Sequence, residues 1–233
     1  MKNLVVLTGA GISAESGLST FRDKNGLWQN YDAMELASIQ GYRKNRERVL
    51  DFYNARRENL LTVEPNHAHR VLVELERHFN VVIVTQNVDN LHERAGSSHV
   101  LHLHGELAKV TGSMNPNDER CIKELPLNVP IKIGDKAADG SQLRPFIVLF
   151  GEGVPNMLPA MKIARLADIF VVIGTSLAVY PAANLTEAVA PGTPSFILDP
   201  GDFDPTRLRG FDHIKTTAVD GIDLLREKLL PLA

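Results

Sequence analysis

Short apolar runs recur along the chain, and they are continuous rather than alternating with polar residues. Six runs rich in β-branched residues have this character, at residues 4–7, 81–85, 99–103, 147–150, 169–173 and 195–198. Such runs are typical of strands buried on both faces of a parallel sheet. Helical periodicity fills the gaps between them, at residues 43–61, 67–78, 157–167 and 182–190. The alternation predicts an α/β class protein with a doubly wound, Rossmann-like parallel sheet.

Two stretches do not fit a minimal strand-helix-strand repeat, and we interpret them as insertions that form a smaller module. The prediction is a single domain with a Rossmann-like core at 1–24, 62–107 and 144–233 and a module at 25–61 and 108–143. In the second insertion, apolar residues flank the turn-forming sequence GDKAADGS at Val129, Ile131, Ile133 and Leu143. This pattern predicts a two-stranded arm with a loose tip.

Composition narrows the class of partner. With 44% hydrophobic and 23% charged residues in 233, the chain can bury a sizeable core and has no compositional sign of disorder. A net charge of -3 provides no broad positive field for nucleic acids or anionic membranes, so small-molecule and protein substrates are favoured. The first apolar run is too short for a secretory signal, and no stretch approaches the roughly 20 apolar residues of a membrane span, so we expect a cytoplasmic protein.

A glycine-rich turn directly follows the first predicted strand. Gly9, Gly11 and Ala14 fit the spacing G-x-G-x-x-[GA], which lets backbone N–H groups contact a pyrophosphate at a helix N-terminus. The alternative is a turn that merely joins a strand to a helix. A standard dehydrogenase is disfavoured, because Asp23 lies too near the glycines to be the usual ribose-binding acid.

A polar cluster follows the second predicted strand. Gln86, Asn87, Asp89 and Asn90 come directly after the run 81–85, at the carboxyl end where open α/β sheets bind ligands. The alternative is a capping turn in which Asp89 or Asn90 caps the next helix.

Two histidines alternate with leucines in the sequence LHLHG. Strand alternation places His102 and His104 on one face, where they are either structural residues or a pair able to bind a metal ion. Neither interpretation explains why Gly105 comes next.

Five segments together resemble the sirtuin family of NAD-dependent protein-lysine deacylases, in the class that includes bacterial and mitochondrial desuccinylases. In family order they read GAGISAESGLSTFRD, TQNVDNLHERAG, LHLHGEL, LRPFIVLFGEGVP and IGTSLAVYPAA. Each segment is a weak signal by itself, whereas the set is specific and covers most of the chain.

The resemblance implies NAD as the cofactor. It assigns to NAD the residues Gly9, Ala10, Gly11 and Ser13 at the phosphates, Phe21 and Arg22 over the cofactor, Gln86, Asn87 and Asp89 on the nicotinamide side, and Gly174, Thr175, Ser176 and Asp199 on the adenosine side. At the position of Asp199 the family usually has asparagine.

The implied reaction is the deacylation of acylated lysines in protein substrates, with His104 and Asn87 as catalytic residues. The acyl oxygen attacks the nicotinamide-bearing ribose carbon, and nicotinamide leaves. His104, with an ordinary pKa of about 6.5, can remove a proton from a ribose hydroxyl. Water then releases lysine and O-acyl-ADP-ribose.

The resemblance also implies where the substrate binds. Val148, Phe150, Gly151 and Glu152 match the segment that pairs with the substrate peptide as an added strand.

A tyrosine and an arginine on a predicted helix are the candidates for acyl preference. Tyr53 and Arg56 stand at i and i+3 of a predicted helix, and with Ala37 they match the class that prefers succinyl or malonyl groups. An arginine can bind such a carboxylate through two hydrogen bonds, while the tyrosine adds a hydroxyl. The alternative is an amphipathic surface helix with a half-buried tyrosine and a solvated arginine.

One departure from the family is large. Typical sirtuins carry two Cys-x-x-Cys pairs after the catalytic histidine, whereas residues 108–142 contain only Cys121 and no histidine. We therefore expect no thiolate zinc site and no metal.

Two other functions stay open: a protein mono-ADP-ribosyltransferase that uses the same NAD site, and a non-catalytic NAD or ADP-ribose sensor. The oligomeric state is not determined by these patterns.

Overall fold

The computed structural model describes residues 1–19, 32–204, 208 and 210–233. Nine strands lie in this part of the chain: β1 (Asn3–Thr8), β2 (Asn80–Thr85), β3 (Val100–His102), β4 (Gly105–Gly112), β5 (Lys123–Glu124), β6 (Leu143–Ile147), β7 (Ile169–Ile173), β8 (Ser195–Leu198) and β9 (Phe211–Ile214). Six of them form a parallel sheet in the order β3-β2-β1-β7-β8-β9. The other three form an antiparallel sheet in the order β5-β4-β6.

The helices connect these strands or, at the end of the chain, follow the last of them. Those in the described residues are α1 (Gly11–Ala14), α2 (Ala33–Leu36), α3 (Ile39–Lys44), α4 (Arg46–Asn59), α5 (His67–Leu75), α6 (Leu91–Ala95), α7 (Met157–Arg165), α8 (Leu185–Ala188) and α9 (Ala218–Leu229), with 3-10 turns at Ala182–Asn184 and Leu230–Leu232. Within the described ranges, none of these helices has the length and apolar character required to cross a membrane.

Neighbouring residues of β1 point to opposite faces of the large sheet and enter separate cores. Leu4 and Val6 pack with residues of α5 and α9, whereas Val5 and Leu7 pack with residues of α7. All four side chains are essentially inaccessible. Burying a side chain of this size stabilises the fold by about 1.5–3 kcal/mol, which explains why the strand is apolar at every position. The predicted α/β class with a Rossmann-like parallel sheet is confirmed.

The strand order places a topological switch point beside β1. The chain runs from β1 outward through β2 and β3 on one side, and later from β7 outward through β8 and β9 on the other. The loops that follow β1 and β7 therefore diverge at the carboxyl edge, which is where open α/β sheets bind ligands.

The prediction of a parallel strand at residues 147–150 is wrong. β6 ends at Ile147 and runs antiparallel to β4, while Phe150 makes only an isolated bridge with Ser38. The chain leaves the large sheet at Gly105, whose positive φ of 80° turns it into β4. Residues 105–107 and 144–147, which the sequence assigns to the core, consequently lie in strands of the small sheet.

Two helix predictions also need correction. The helix predicted at 43–61 is divided at Asn45, which ends α3 and whose side chain accepts a hydrogen bond from the Arg48 N–H at the start of α4. The helix predicted at 182–190 is a 3-10 turn followed by the short α8.

The predicted two-stranded arm is wrong as well. Within residues 129–142, all of which are described, strand pairing is limited to an isolated bridge between Lys136 and Gln142. Ile131 is buried but Ile133 is 54% exposed, so the apolar alternation does not correspond to a strand.

Candidate functional site

The glycine turn after β1 contacts the loop after β7 directly. The N–H groups of Gly9 and Gly11 donate hydrogen bonds to the carbonyls of Ile173 and Gly174, at 3.0 and 2.8 Å. A Cβ at Gly11 would lie 2.7 Å from Gly174 Cα, and a Cβ at Gly174 would lie 2.3 Å from the backbone nitrogen of Ile12. Glycine is therefore required at these positions because two backbones meet at the switch point.

A buried polar network connects this turn to the loop after β2. The side-chain amide of Asn87 donates to the carbonyl of Gly9 at 3.1 Å and to Ser13 Oγ at 3.2 Å. Ser13 Oγ in turn donates to Asp89 Oδ2 at 3.1 Å. Asp89 Oδ1 accepts a hydrogen bond at 3.1 Å from the N–H of Leu91, the first residue of α6, whereas the N-cap residue Asn90 makes no side-chain cap bond.

Burial shifts the pKa of the carboxyl group in this network. Burial raises the pKa of Asp89 above its ordinary value and outweighs the hydrogen bonds from Leu91 and Ser13, which favour the carboxylate. The structure brings Ser13 together with Asn87 and Asp89, which lie more than 70 positions further along the chain.

The loop after β7 continues the site on the other side of the switch point. Gln86 Nε2 donates to Thr175 Oγ1 at 3.1 Å, which joins the β2 loop to the β7 loop. Ser176 is exposed at the same edge. Asp199 follows β8, and its Oδ1 accepts the N–H of Gly201 at 2.7 Å. Ala10 is the N-cap residue of α1 and has no side-chain capping bond.

The two histidines hold consecutive carbonyls of the β2 loop. His104 Nδ1 lies 2.9 Å from the carbonyl oxygen of Gln86, and His102 Nδ1 lies 2.9 Å from that of Asn87. Both Nδ1 atoms therefore carry hydrogens and donate. His102 belongs to β3, whereas His104 lies beyond the end of the strand.

The environments of the two rings differ. Burial lowers the pKa of His104, and the hydrogen bond to Gln86 only partly opposes this effect. Burial alone would also lower the pKa of His102, but the hydrogen bond and charge of Glu93, whose Oε1 lies 2.8 Å from Nε2, raise it overall. His104 is therefore the neutral ring, with Nε2 as a proton acceptor, and His102 is the ring that favours a positive charge.

Gly105 now has an explanation. A Cβ at this position would lie 2.2 Å from the carbonyl oxygen of Phe146, so only glycine allows β4 to pair with β6 directly after His104.

A layer of buried polar residues beneath the site was not found by the sequence reasoning. His92 Nε2 lies 3.0 Å from Thr8 Oγ1, which donates to Thr85 Oγ1 at 2.8 Å, and Thr85 Oγ1 also accepts the N–H of Asn87 at 3.0 Å. The available signal is that two apolar strands, β1 and β2, both end in threonine.

The predicted acyl-recognition pair lies on α4. Tyr53 is 7% exposed and Arg56 is half-buried, so the alternative interpretation, a surface helix with a solvated arginine, does not describe this pair. Burial raises the pKa of Tyr53 to about 12, so its hydroxyl keeps its proton. Burial lowers the pKa of Arg56, and the charges of Tyr53 and Asp89 oppose this shift. Arg56 is thus within electrostatic reach of the network at the carboxyl edge.

Residues 37–39 and 148–152 are neighbours. The N–H of Phe150 donates to the carbonyl of Ala37 at 2.7 Å, and the N–H of Ile39 donates to the carbonyl of Phe150 at 3.0 Å. Val148 donates its N–H to the carbonyl of His104 at 2.9 Å, and this links the segment to the histidine.

The carboxylate of Glu152 binds a buried arginine. Its two oxygens accept the guanidinium of Arg144 at 2.7 and 2.9 Å, and Oε2 also accepts the N–H of Leu149 at 2.8 Å. Arg144 is 1% exposed, so Glu152 balances a buried cation. Gly151 is exposed with a positive φ of 92°. Phe21 and Arg22 lie outside the described residues.

Comparison with known proteins identifies the family of this chain. The Sir2 family profile matches residues 9–181. The chain belongs to the Sir2 family. An NAD-dependent protein deacylase of Bacteroides thetaiotaomicron is 54% identical over 232 residues, which cover 99% of this chain and 99% of that protein. One of Helicobacter pylori is 50% identical over 234 residues, covering 100% of both chains. The solved structure of a Sir2 homologue in complex with NAD has a TM-score of 0.85 and 39% identity, over 99% of this chain and 90% of that one.

The residues of this Sir2 chain fit NAD. The turn at Gly9 and the loop at Gly174 meet at the switch point, and amide and carboxylate groups from the β2 loop lie beside them. Asn90 also has a buried side-chain oxygen, Oδ1, with no hydrogen-bond partner among the described residues, which a ligand donor would satisfy.

The residues do not fit a zinc ion held by thiolates. Cys121 is the one cysteine of the sequence, and it is buried among apolar side chains of the small module. Within residues 1–19, 32–204, 208 and 210–233, no three His, Cys, Asp or Glu residues lie together as a set that could hold a metal ion.

Proposed function

We propose that this chain, an NAD-dependent protein deacylase of the Sir2 family, removes acetyl groups from lysine and, more efficiently, acidic acyl groups such as succinyl and malonyl. The observation that carries the proposal is the pair on α4. A protonated tyrosine and a half-buried arginine lie one helical turn apart, and the arginine is within electrostatic reach of Asp89.

The chemistry of the pair suits a carboxylate at the end of a short chain. The guanidinium of Arg56 can donate two parallel hydrogen bonds to a carboxylate, and such charge-assisted pairs are roughly twice as strong as neutral ones. The Tyr53 hydroxyl can donate a third, because its raised pKa keeps it neutral at cellular pH. An acetyl group lacks the carboxylate and gains nothing from either residue.

NAD supplies the ribose carbon that receives the acyl oxygen, and it is consumed rather than reduced. His104 acts as the general base in this proposal. Its Nδ1–H is held by the carbonyl of Gln86 at 2.9 Å, which leaves Nε2 free to accept a proton from a ribose hydroxyl. Burial keeps the ring neutral at neutral pH, as a base must be before it acts.

Asn87 and Ser13 have a supporting task. The Asn87 amide holds the carbonyl of Gly9 and the Ser13 hydroxyl, so it keeps the glycine turn in place against the loop after β2. We propose that both residues also contact NAD directly. Further direct contacts would come from Gln86, Asp89, Thr175, Ser176 and Asp199. No step depends on a zinc ion.

Backbone pairing is proposed to hold the substrate protein. The segment at Val148, Phe150 and Gly151 lies next to His104 and at the surface, where an extended peptide could add as a strand. Specificity for the peptide sequence would then be broad, and acyl choice would come from α4.

A panel of otherwise identical acetyl-, malonyl-, succinyl- and glutaryl-lysine peptides, assayed with NAD, tests the proposal. We expect nicotinamide release with every peptide that is turned over, and a higher kcat/KM for the succinyl or malonyl peptide than for the acetyl one. A clear preference for the acetyl peptide would overturn the acyl assignment.

Intact mass of the peptide product separates the two rival functions. Loss of the acyl group with formation of O-acyl-ADP-ribose supports the deacylase. Transfer of ADP-ribose to the peptide with the acyl group retained would show a mono-ADP-ribosyltransferase, and an absence of nicotinamide release would show a non-catalytic sensor.

A further inference from the structure

Arg57 is a fully buried cation on α4, one position after Arg56. Its relative exposure is 0%. Among the described residues, its guanidinium donates to four backbone carbonyls: Leu107, Leu125 at 3.1 Å, Pro126 at 2.8 Å and Val129 at 3.3 Å. Burial lowers the pKa of Arg57, but an arginine starts so high that it stays charged at neutral pH.

The carbonyls come from two separate parts of the small module. Leu107 belongs to β4, whereas the other three lie in the segment that follows β5. The ladder between β4 and β6 is interrupted between Glu106 and Val110, and this interruption leaves the Leu107 carbonyl for the guanidinium. One side chain therefore joins α4, the irregular part of β4 and the segment 125–129.

Asn54 repeats this arrangement one turn earlier on the same helix. Its Nδ2 donates to the carbonyl of Ile131 at 2.9 Å, and its Oδ1 accepts the N–H of Ile131 at 2.9 Å. Residues at i and i+3 share a helix face, so Asn54 and Arg57 bind the segment 125–131 from one side of α4.

We infer that Arg57, assisted by Asn54, positions α4 on the segment 125–131 and thereby sets the place of the acyl-recognition pair, Tyr53 and Arg56. The inference rests on the proposed acyl preference for its effect on substrates. Arg57 is a positioning residue, because its described hydrogen bonds all go to the protein backbone and it acts through its neighbours on the helix.

The chemistry of the guanidinium explains why arginine occupies this position. A buried charge is costly unless hydrogen bonds replace its lost hydration. Four carbonyls supply them to the two terminal nitrogens of Arg57, whereas its buried Nε has no hydrogen-bond partner among the described residues. The planar fork carries donors on separate nitrogens and reaches acceptors on two chain segments at once, whereas the ammonium of lysine places all its donors on a single nitrogen. This cation lies among residues 107–129, within the stretch where the family usually has zinc-binding cysteines and this chain has one buried cysteine.

The test uses Arg57→Lys and Arg57→Met in the full chain, with Arg48→Met as the matched control. Arg48 lies on the same helix, is exposed and pairs with Glu35. Arg57→Lys retains the charge and carries the test if Arg57→Met does not fold. Two quantities are measured: hydrogen exchange of the backbone amides, and kcat and KM for the acetyl and succinyl peptides.

Hydrogen exchange tests, independently of acyl preference, whether Arg57 holds α4 on the segment 125–131; we call this role the clamp. The amides of Leu125, Val129 and Ile131, which donate within the module and to α4, should exchange about 10–100 times faster in Arg57→Lys, while those of β1 and β7 keep their wild-type rates. Unchanged rates at these three amides would overturn the inference. Equal acceleration at these three amides and at the amides of β1 and β7 would also overturn it, because Arg57 would then stabilise the whole fold.

Kinetics test the positioning role. We expect KM for the succinyl peptide to rise about tenfold in Arg57→Lys, with kcat and the acetyl KM nearly unchanged, because recognition is misplaced while the chemistry is intact. Equal losses on both peptides would overturn the positioning role. If the wild type itself shows no preference for acidic acyl groups, the proposed function fails, and the exchange pattern still decides whether Arg57 is the clamp.

Discussion

The carboxyl edge of the large sheet and the small module are held together in different ways. At the edge, parallel ladders over two apolar cores fix the strand ends, and short loops meet through glycines and buried side chains. In the module, β4 and β5 pair at only two positions, and side chains such as Arg57, Asn54 and Gln142 hold the irregular segments by their backbones.

In the proposed function, this difference separates the residues for chemistry from the residues for acyl selectivity. His104 lies at the junction of the two sheets, with its ring held by the β2 loop of the rigid edge. Tyr53 and Arg56 belong to the module, whose geometry depends on side-chain hydrogen bonds. Substitutions at the edge should therefore affect every substrate, whereas substitutions in the module should affect some substrates more than others.

The largest expected effect is at the edge. His104→Ala should lower kcat by about 10²–10⁴-fold on every acyl peptide, because the general base is removed, while NAD still binds. Deacylation is followed by mass spectrometry and NAD binding by calorimetry. His99→Ala, at an exposed position, is the control. Near-normal turnover by His104→Ala would move the role of base to His102 or elsewhere.

The corresponding change in the module is Arg56→Met. Desuccinylation should fall by about 10–100-fold in kcat/KM, the value of one charge-assisted pair, while deacetylation changes little. Both peptides are assayed at saturating NAD, with Arg48→Met as an exposed control on the same helix. Equal losses on the two peptides would make Arg56 a structural residue and remove the contrast between the two regions.

A smaller effect concerns stability at the edge. His69 and His92 are buried beneath it with ring centroids 4.9 Å apart, and burial lowers the pKa of His69 to about 4 and that of His92 well below its ordinary value. Below the ordinary pKa of about 6.5, the unfolded chain binds protons that the native rings do not, so this contribution to stability is lost as the pH falls from 6.5 to about 4.

The contribution of His69 is isolated by comparing the wild type with His69→Gln. His102, whose pKa is raised, changes stability with pH in the opposite direction, but it does so equally in both proteins. Between pH 7 and pH 5, urea unfolding should show the wild type losing about 2 kcal/mol more than His69→Gln. His78→Gln, at an exposed position, should behave as the wild type does. Parallel pH profiles for wild type and His69→Gln would contradict the burial of a neutral His69.

The two regions also differ in how far their structure follows from sequence. The parallel strands of the large sheet were predictable because their apolar runs are continuous. The exception is β9, whose sequence FDHI has two adjacent polar residues at its centre. Gly9 and Gly11 were identified as special positions, but their contact with Gly174 was not, because nothing local in the sequence shows that two loops will meet.

In the module, local patterns were misleading. Residues 147–150 look like a core strand, yet the ladder with β4 uses Leu143–Ile147 instead. Arg57 reads as a charged surface residue beside Arg56, and its four acceptors lie 50 or more positions away. Long-range side-chain contacts of this kind leave no periodic signal.

The smallest expected effect is that of metal removal from the module. We expect the protein to purify without stoichiometric zinc and to retain its activity on acetyl and succinyl peptides in a strong chelator. Where zinc holds a small module, it supplies much of the folding free energy, and chelation unfolds the module. Here Cys121 is buried in the apolar cluster of the module, and the hydrogen bonds of Arg57 and Asn54 connect its segments.

Elemental analysis and hydrogen exchange with and without the chelator measure this expectation. The amides of Leu125, Val129 and Ile131 should exchange at the same rate in both conditions, and faster than those of β1, because side-chain clamps protect less than a parallel ladder over a core. One tightly held zinc per chain, together with loss of activity on chelation, would show that ligands other than cysteine hold a metal. The module would then depend on a metal ion, and the contrast with the large sheet would have to be explained by metal binding instead of by Arg57.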